Sequence, residues 1–198
     1  MNVRIIACGV FRSALNHLKI HTRFPEIDIE YLQPFLHNDP IELRNQLDKA
    51  ISRARERDRK VICLYGQCFP DIDEFLKERG IGRPGGHHCY DMLMGAQSFN
   101  RAIEEDPGTY FLEKELLMNF DRYCRNPLEL DDPQMREWFF ERYNTVLYIR
   151  QPGDPELRTE AASIADFLSL CLRIKEADYG DLADRLEKEI NKAIAVLD

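Results

Sequence analysis

Val61-Ile62-Cys63-Leu64-Tyr65-Gly66-Gln67-Cys68 decides how this chain is read. An unbroken apolar run that starts β-branched and closes on a glycine turn describes a strand buried on both faces. Working backwards, His37-Asn38-Asp39-Pro40 opens a helix, because Asn or Asp caps and proline suits the first turn. Leu43, Leu47 and Ile51 then lay an apolar face along a helix from Pro40 to about Arg57. Ile27 to Leu32 alternates apolar and acidic residues, the pattern of a strand with one exposed face. Val3 to Ala7 is a further buried run, ended by Cys8-Gly9, and Val10 to Leu18 has helical spacing. Strands separated by helices pair in parallel through helical crossovers.

The same alternation continues downstream. Asp71 to Glu78 reads as a short helix ended by Gly80, and Gly82-Arg83-Pro84-Gly85-Gly86 as a loop. His87 to Glu105 reads as one helix, with Leu93, Ala96 and Phe99 to Ile103 on its core face, broken at Asp106-Pro107-Gly108. Thr109 to Leu112 is a short strand, Thr145 to Ile149 a buried one and Cys171 to Ile174 an edge strand. Helices are expected from Glu156 to Leu170 and from Gly180 to Leu197, with two more between Glu113 and Tyr143. The predicted fold is α/β: a mainly parallel sheet flanked by helices in a Rossmann-like three-layer arrangement. It forms a single domain over residues 1–198, with a helical insertion or lid at about 113–143. Trp138-Phe139-Phe140 reads as core of that insertion or as a partner surface.

Composition narrows the function classes. The net charge is −8, and the one basic run, Arg53 to Lys60, alternates with acids at a helix end. That is a solvated terminus complementing the helix dipole, not a nucleic-acid patch. No stretch reaches the roughly 20 apolar residues of a membrane helix, and the opening residues carry no secretory signal. A cytoplasmic location is therefore expected, where the six cysteines stay reduced. Walker and HExxH motifs are absent from the sequence.

In open parallel sheets, ligands sit beyond the carboxyl ends of the strands. Cys8 ends the first strand, Cys68 follows the strand Val61 to Tyr65, and Cys89 opens a helix after the glycine-rich loop. His87 and His88 accompany Cys89. Thiolates with an imidazole suit zinc or an iron–sulfur cluster. Gly9, Gly66 and Gly86 allow close approach of backbone to a bound group. Tyr65 offers a phenol, and Asp91 a carboxylate that could orient a ligating histidine. The plainer alternative is that reduced cysteines are small core residues. That is the reading for Cys63 and Cys171, and Cys124 is a weaker candidate than the three at the edge. His17, His21 and His37 read as surface or capping residues. A nucleophilic Cys89 with His87 as base is disfavoured, because near neighbours in sequence rarely reach that geometry.

Four segments, in order, carry a resemblance. They are Ile5-Ile6-Ala7-Cys8-Gly9, Leu64-Tyr65-Gly66-Gln67-Cys68, the run from His87-His88-Cys89-Tyr90-Asp91 to Gly95, and Pro107-Gly108-Thr109-Tyr110. Together they resemble the bacterial and archaeal family catalogued as domain of unknown function 1638. The family's pattern is a Cys-Gly, a Tyr-Gly-x-Cys, a His-Asp-Cys and a Pro-Gly-Thr-Tyr. Matching His-Asp-Cys favours His87 over His88, which stands where the family has Asp. Gly85-Gly86 and the residues after Tyr110 also depart from the pattern. The resemblance implies a setting of anaerobic one-carbon or corrinoid methyl metabolism, with a partner enzyme or a corrinoid protein as partner. Three classes stay open: a metal- or iron–sulfur-binding protein with ligands Cys8, Cys68, His87 and Cys89, a non-catalytic accessory or chaperone-like protein, and a protein whose cysteines are core and whose pocket binds a small metabolite. The second would bind a cofactor or partner enzyme through the same edge.

Overall fold

The computed structural model describes residues 3–195. The first half runs β1 (Val3–Cys8), a 3₁₀ turn (Gly9–Phe11), α1 (Arg12–His17), α2 (Ile20–Arg23) and β2 (Ile27–Leu32). A second 3₁₀ turn (Pro34–Asn38), α3 (Pro40–Arg55), β3 (Lys60–Leu64), α4 (Ile72–Lys77), α5 (Cys89–Met94) and α6 (Ala96–Glu105) follow. The second half runs β4 (Thr109–Glu113), α7 (Lys114–Met118), a π-helical turn (Asp121–Arg125), α8 (Pro133–Phe140) and β5 (Thr145–Arg150). It finishes with α9 (Arg158–Leu168), β6 (Cys171–Glu176) and α10 (Leu182–Ala195). The last residues of the helix expected to reach Leu197 lie outside the described residues.

The fold is α/β and every strand pairing within a sheet is parallel, but the strands form two three-stranded sheets, β2-β1-β3 and β4-β5-β6. The division has a local cause. The free edge of β3 is taken by the following loop: Ile62 bridges to Gly82, and the Cys63 N–H donates to the Gly82 carbonyl at 2.9 Å. With that edge occupied, β4 starts a second sheet.

Every residue of β1 is buried, so both of its faces are covered; α3 and α10 each pack on β1 and β3. Leu43, Leu47 and Ile51 do line the inner face of α3, and the Asp39 carboxylate caps it by accepting from the Glu42 N–H. The expected continuous helix from His87 to Glu105 breaks at Gly95, whose φ of +78° suits glycine. α6 then buries no residue fully, and Phe99, Ala102 and Ile103 cover the core only in part.

The second sheet has its own apolar cluster. Leu116, Leu117, Phe120, Tyr123 and Phe140, from the helical stretch after β4, pack there with Val146 and Tyr148 of β5. The aromatic run divides: Phe140 is buried in this cluster, whereas Trp138 is exposed. Cys171, expected in the core, is exposed at the start of the edge strand β6. Cys63 and Cys124 are buried.

Glu113 ends β4 fully buried, its carboxylate accepting the Glu115 and Leu116 N–H groups at 2.9 Å each. Burial pushes its carboxyl up to about 8 from an ordinary 4.5. A carboxyl that holds its proton more tightly when folded favours folding most below about 4.5 and loses that advantage as pH rises towards about 8. Glu113→Gln is therefore expected to remove up to about 1.4 kcal/mol per pH unit from the fall in stability across this window. Urea unfolding of both proteins at stepped pH checks this; parallel curves would refute it.

Candidate functional site

The order β2-β1-β3 means that the chain passes to opposite sides of β1 in successive crossovers. A crevice opens at such a switch point, beyond the carboxyl ends of β1 and β3. Cys8 is the last residue of β1, and Cys68 lies just past β3. The loop after α4 runs beside β3 and its extension. Its Gly82 pairs with Cys63, and further on the Gln67 N–H donates to the His87 carbonyl at 2.8 Å. That pairing delivers Cys89, the first residue of α5, to the same crevice.

The structure brings Cys8, Cys68 and Cys89 to one cavity. The Gly66 N–H donates to Cys89 Sγ at 3.4 Å. Gly66 lies so close to α5 that a Cβ there would sit 2.7 Å from the Cys89 nitrogen. At Cys68, the bond with Cys89 and then burial push the thiol up. At Cys89, the bond with Cys68 favours the thiolate, but the bond with Cys8 and loss of hydration outweigh it and push the thiol well up. Their surroundings thus disfavour the thiolate form at Cys68 and Cys89.

A cavity of about 220 Å³ opens on the cluster. Cys8, Cys68 and Cys89 line it, together with Val10, His37, Gln67, His87, His88, Tyr90 and Leu116. His87 and His88 are both exposed but are held differently. The His87 Nδ1 lies 2.9 Å from Gln67 Oε1, and Gln67 Nε2 donates to Asp73 Oδ2 at 2.9 Å. A carboxylate only accepts, so Gln67 turns its NH₂ to Asp73 and its oxygen to His87. His87 therefore donates through Nδ1–H and keeps a lone pair on Nε2. Arg83 donates to the other Asp73 oxygen at 2.8 Å and to the Tyr65 and Gly86 carbonyls at 2.9 Å each. Burial raises the Asp73 carboxyl, but hydrogen bonds from Gln67 and Arg83 outweigh it and hold the group below its usual range. The His88 ring instead packs on Phe99, with centroids 5.3 Å apart.

The other candidates serve this scaffold. Asp91 is buried, and its Oδ2 accepts the His87 and His88 N–H groups at 2.8 and 3.1 Å. Gly86 has a φ of +147° and no room for a Cβ, which would meet the Met92 Cγ at 2.5 Å. At Gly9, a Cβ would meet Pro34 at 2.9 Å. Tyr65 is buried, and its hydroxyl has no hydrogen-bond partner among the described residues. Burial and then the surrounding thiols, Cys8 foremost, push that phenol well up.

Sequence reasoning missed His37, the Gln67–Asp73–Arg83 support of His87, and the apolar wall of Val10 and Leu116. One signal for His37 was present: Pro34 three residues earlier, whose carbonyl faces the His37 ring. The donor types fit a soft or borderline metal. As they stand, no group of three His, Cys, Asp or Glu among the described residues is arranged to hold an ion. No described helix is long and apolar enough to cross a membrane.

No curated protein and no solved structure matches the chain. A family model does, and its match takes in Cys68, His87 and Cys89 while starting beyond Cys8. The chain belongs, by this match over residues 31–190, to the family described as protein of unknown function (DUF1638).

Proposed function

We propose that this protein binds a metal ion or an iron–sulfur cluster at the carboxyl edge of β1 and β3, through Cys8, Cys68 and Cys89 with His87. One observation carries the reading: Cys8, Cys68 and Cys89 line a single cavity at the switch point of a parallel sheet. Thiol ligands bind a cation as thiolates and release their protons as they do so. The remaining residues have roles that need no ion in place. The Gly66 N–H steadies the Cys89 sulfur, and Gln67, backed by Asp73, fixes the His87 tautomer so that Nε2 can accept. Asp91 ties the His87–His88 backbone to α5. A bound metal would supply Lewis acidity towards a thiol ligand, or a cluster would supply electron transfer. The family resemblance adds the setting of anaerobic one-carbon or corrinoid methyl metabolism, with a corrinoid protein or partner enzyme docking at this edge.

Purification without oxygen, followed by metal and sulfide analysis and a visible spectrum, tests the reading. About one equivalent of zinc without colour, or iron with sulfide and charge-transfer bands, is expected. Protein that carries no metal and takes up neither added zinc nor a cluster reconstituted with iron and sulfide would overturn it.

A further inference from the structure

In the second sheet, Phe111, Leu147 and Arg173 stand in one row across β4, β5 and β6, in register and on one face. α6 covers that face over β4, where its Phe99 stacks on Phe111 with ring centroids 5.0 Å apart. No residue of α6 is fully buried, and between this helix and β6 a groove of about 330 Å³ remains. Thr109 and Thr145, which open β4 and β5, line it, so the groove lies at the amino ends of these strands. The thiols, by contrast, lie at the carboxyl edge of the first sheet.

Arg101 reaches the groove from α6, and Arg173 and Lys175 reach it from β6. Strand alternation puts residues 173 and 175 on the same face, so these two cations are near neighbours. The groove holds one carboxylate, Glu105, 3.8 Å from Arg173, and Arg101 and Lys175 have no ion-pair partner among the described residues. The next acid, Asp106, is engaged elsewhere, accepting from the Gly108 N–H at 2.9 Å and from Asn144 Nδ2 at 3.1 Å. Cations on an edge strand discourage unwanted strand pairing, which accounts for Arg173 and Lys175. It does not account for Arg101, which adds a third cation from the facing helix. Like charges around one concavity repel one another, and a chain of net charge −8 has placed them here without acids to match.

We propose that this groove binds a small molecule carrying a phosphate monoester. Two guanidinium forks and an ammonium suit a tetrahedral oxyanion. Three cations against one carboxylate leave a surplus that matches the charge of such a phosphate at neutral pH, about −1.5 to −2. Met94, Ala102, Leu147 and Ile174 supply an apolar side for the body of the ligand. At about 330 Å³ the groove is at the small end of ligand sites, which span roughly 300–1,000 Å³, so it suits a compact metabolite and not a dinucleotide. The site is independent of what the thiol cavity holds.

Calorimetric titration of the full-length protein with phenyl phosphate at low salt tests this. Saturable binding at one equivalent is expected, weakening as salt is raised. R101Q and R173Q should each lower the affinity about tenfold or more, the loss expected for a hydrogen bond to a charged group. Both arginines are exposed, so these variants should keep the wild-type circular dichroism spectrum. Benzoate, a monoanion with a similar body, should bind at least about tenfold more weakly than phenyl phosphate. R57Q removes an exposed cation from the basic run just past α3 and should leave the affinity unchanged. No saturable binding in wild type, equal losses in R57Q and R101Q, or benzoate binding as tightly as phenyl phosphate would overturn the inference.

Discussion

Gly66→Ala is expected to destabilise the protein by about 1–3 kcal/mol and to pull α5 away from the thiol edge. The new Cβ would lie 2.7 Å from the Cys89 nitrogen, 2.9 Å from the His88 carbonyl carbon and 3.0 Å from the His88 Cα. These are main-chain atoms, so no side-chain rotation relieves the clash. The His88–Cys89 backbone has to retreat. With it go the Gln67–His87 pairing and the bond from the Gly66 N–H to the Cys89 sulfur. Urea unfolding reads the stability, and labelling of Cys89 by a thiol reagent reads the displacement, expected to speed up about tenfold for a local opening of 1.4 kcal/mol. Gly80→Ala is the comparison. Its φ of +63° strains alanine by about 1 kcal/mol, but nothing lies within 4 Å of the added carbon, so Cys89 labelling should stay at the wild-type rate. Wild-type stability and labelling in Gly66→Ala would show that the contact yields without consequence.

The largest effect on metal content is expected from Cys89→Ser. Cys89 opens α5 at the cavity shared with Cys8 and Cys68, and its sulfur accepts the Gly66 N–H, so it sits at the centre of the proposed ligand set. A serine hydroxyl is a hard, weakly acidic donor and does not replace a thiolate on zinc or a cluster. Bound metal in oxygen-free preparations should fall from about one equivalent to below roughly a tenth. Cys171→Ser, on the exposed edge strand β6, should change nothing. Equal metal in the Cys89 variant and wild type would remove Cys89 from the ligand set.

What could be read from the residues was whatever depends on near neighbours. The apolar runs at Val3, Val61 and Thr145 gave strands, because burial on both faces leaves an unbroken hydrophobic signature. Asp39-Pro40 gave the start of α3 through cap chemistry that lies within four residues. The division into two sheets could not be read this way, since it depends on Gly82 meeting Ile62 and Cys63 across a loop. The break at Gly95 was hidden for a similar reason: the Gly180 Cα approaches it, and that approach is tertiary. At the candidate site, Cys8, Cys68 and Cys89 could be named because each sits at an end of its own element. His37 could not, because its place at the cavity comes from Pro34 seating against Gly9.

The packing of α10 on β1 and β3 has a consequence for how the molecule is made. Leu182, Leu186 and Ile190 are fully buried there, against strands that precede α10 by more than a hundred residues. The nascent β1–β3 layer therefore carries an uncovered apolar flank until synthesis has passed every other described element. Domains that emerge early usually complete themselves early. Here the first of the two described sheets is sealed last among the described elements, so its apolar flank stays open until α10 has emerged.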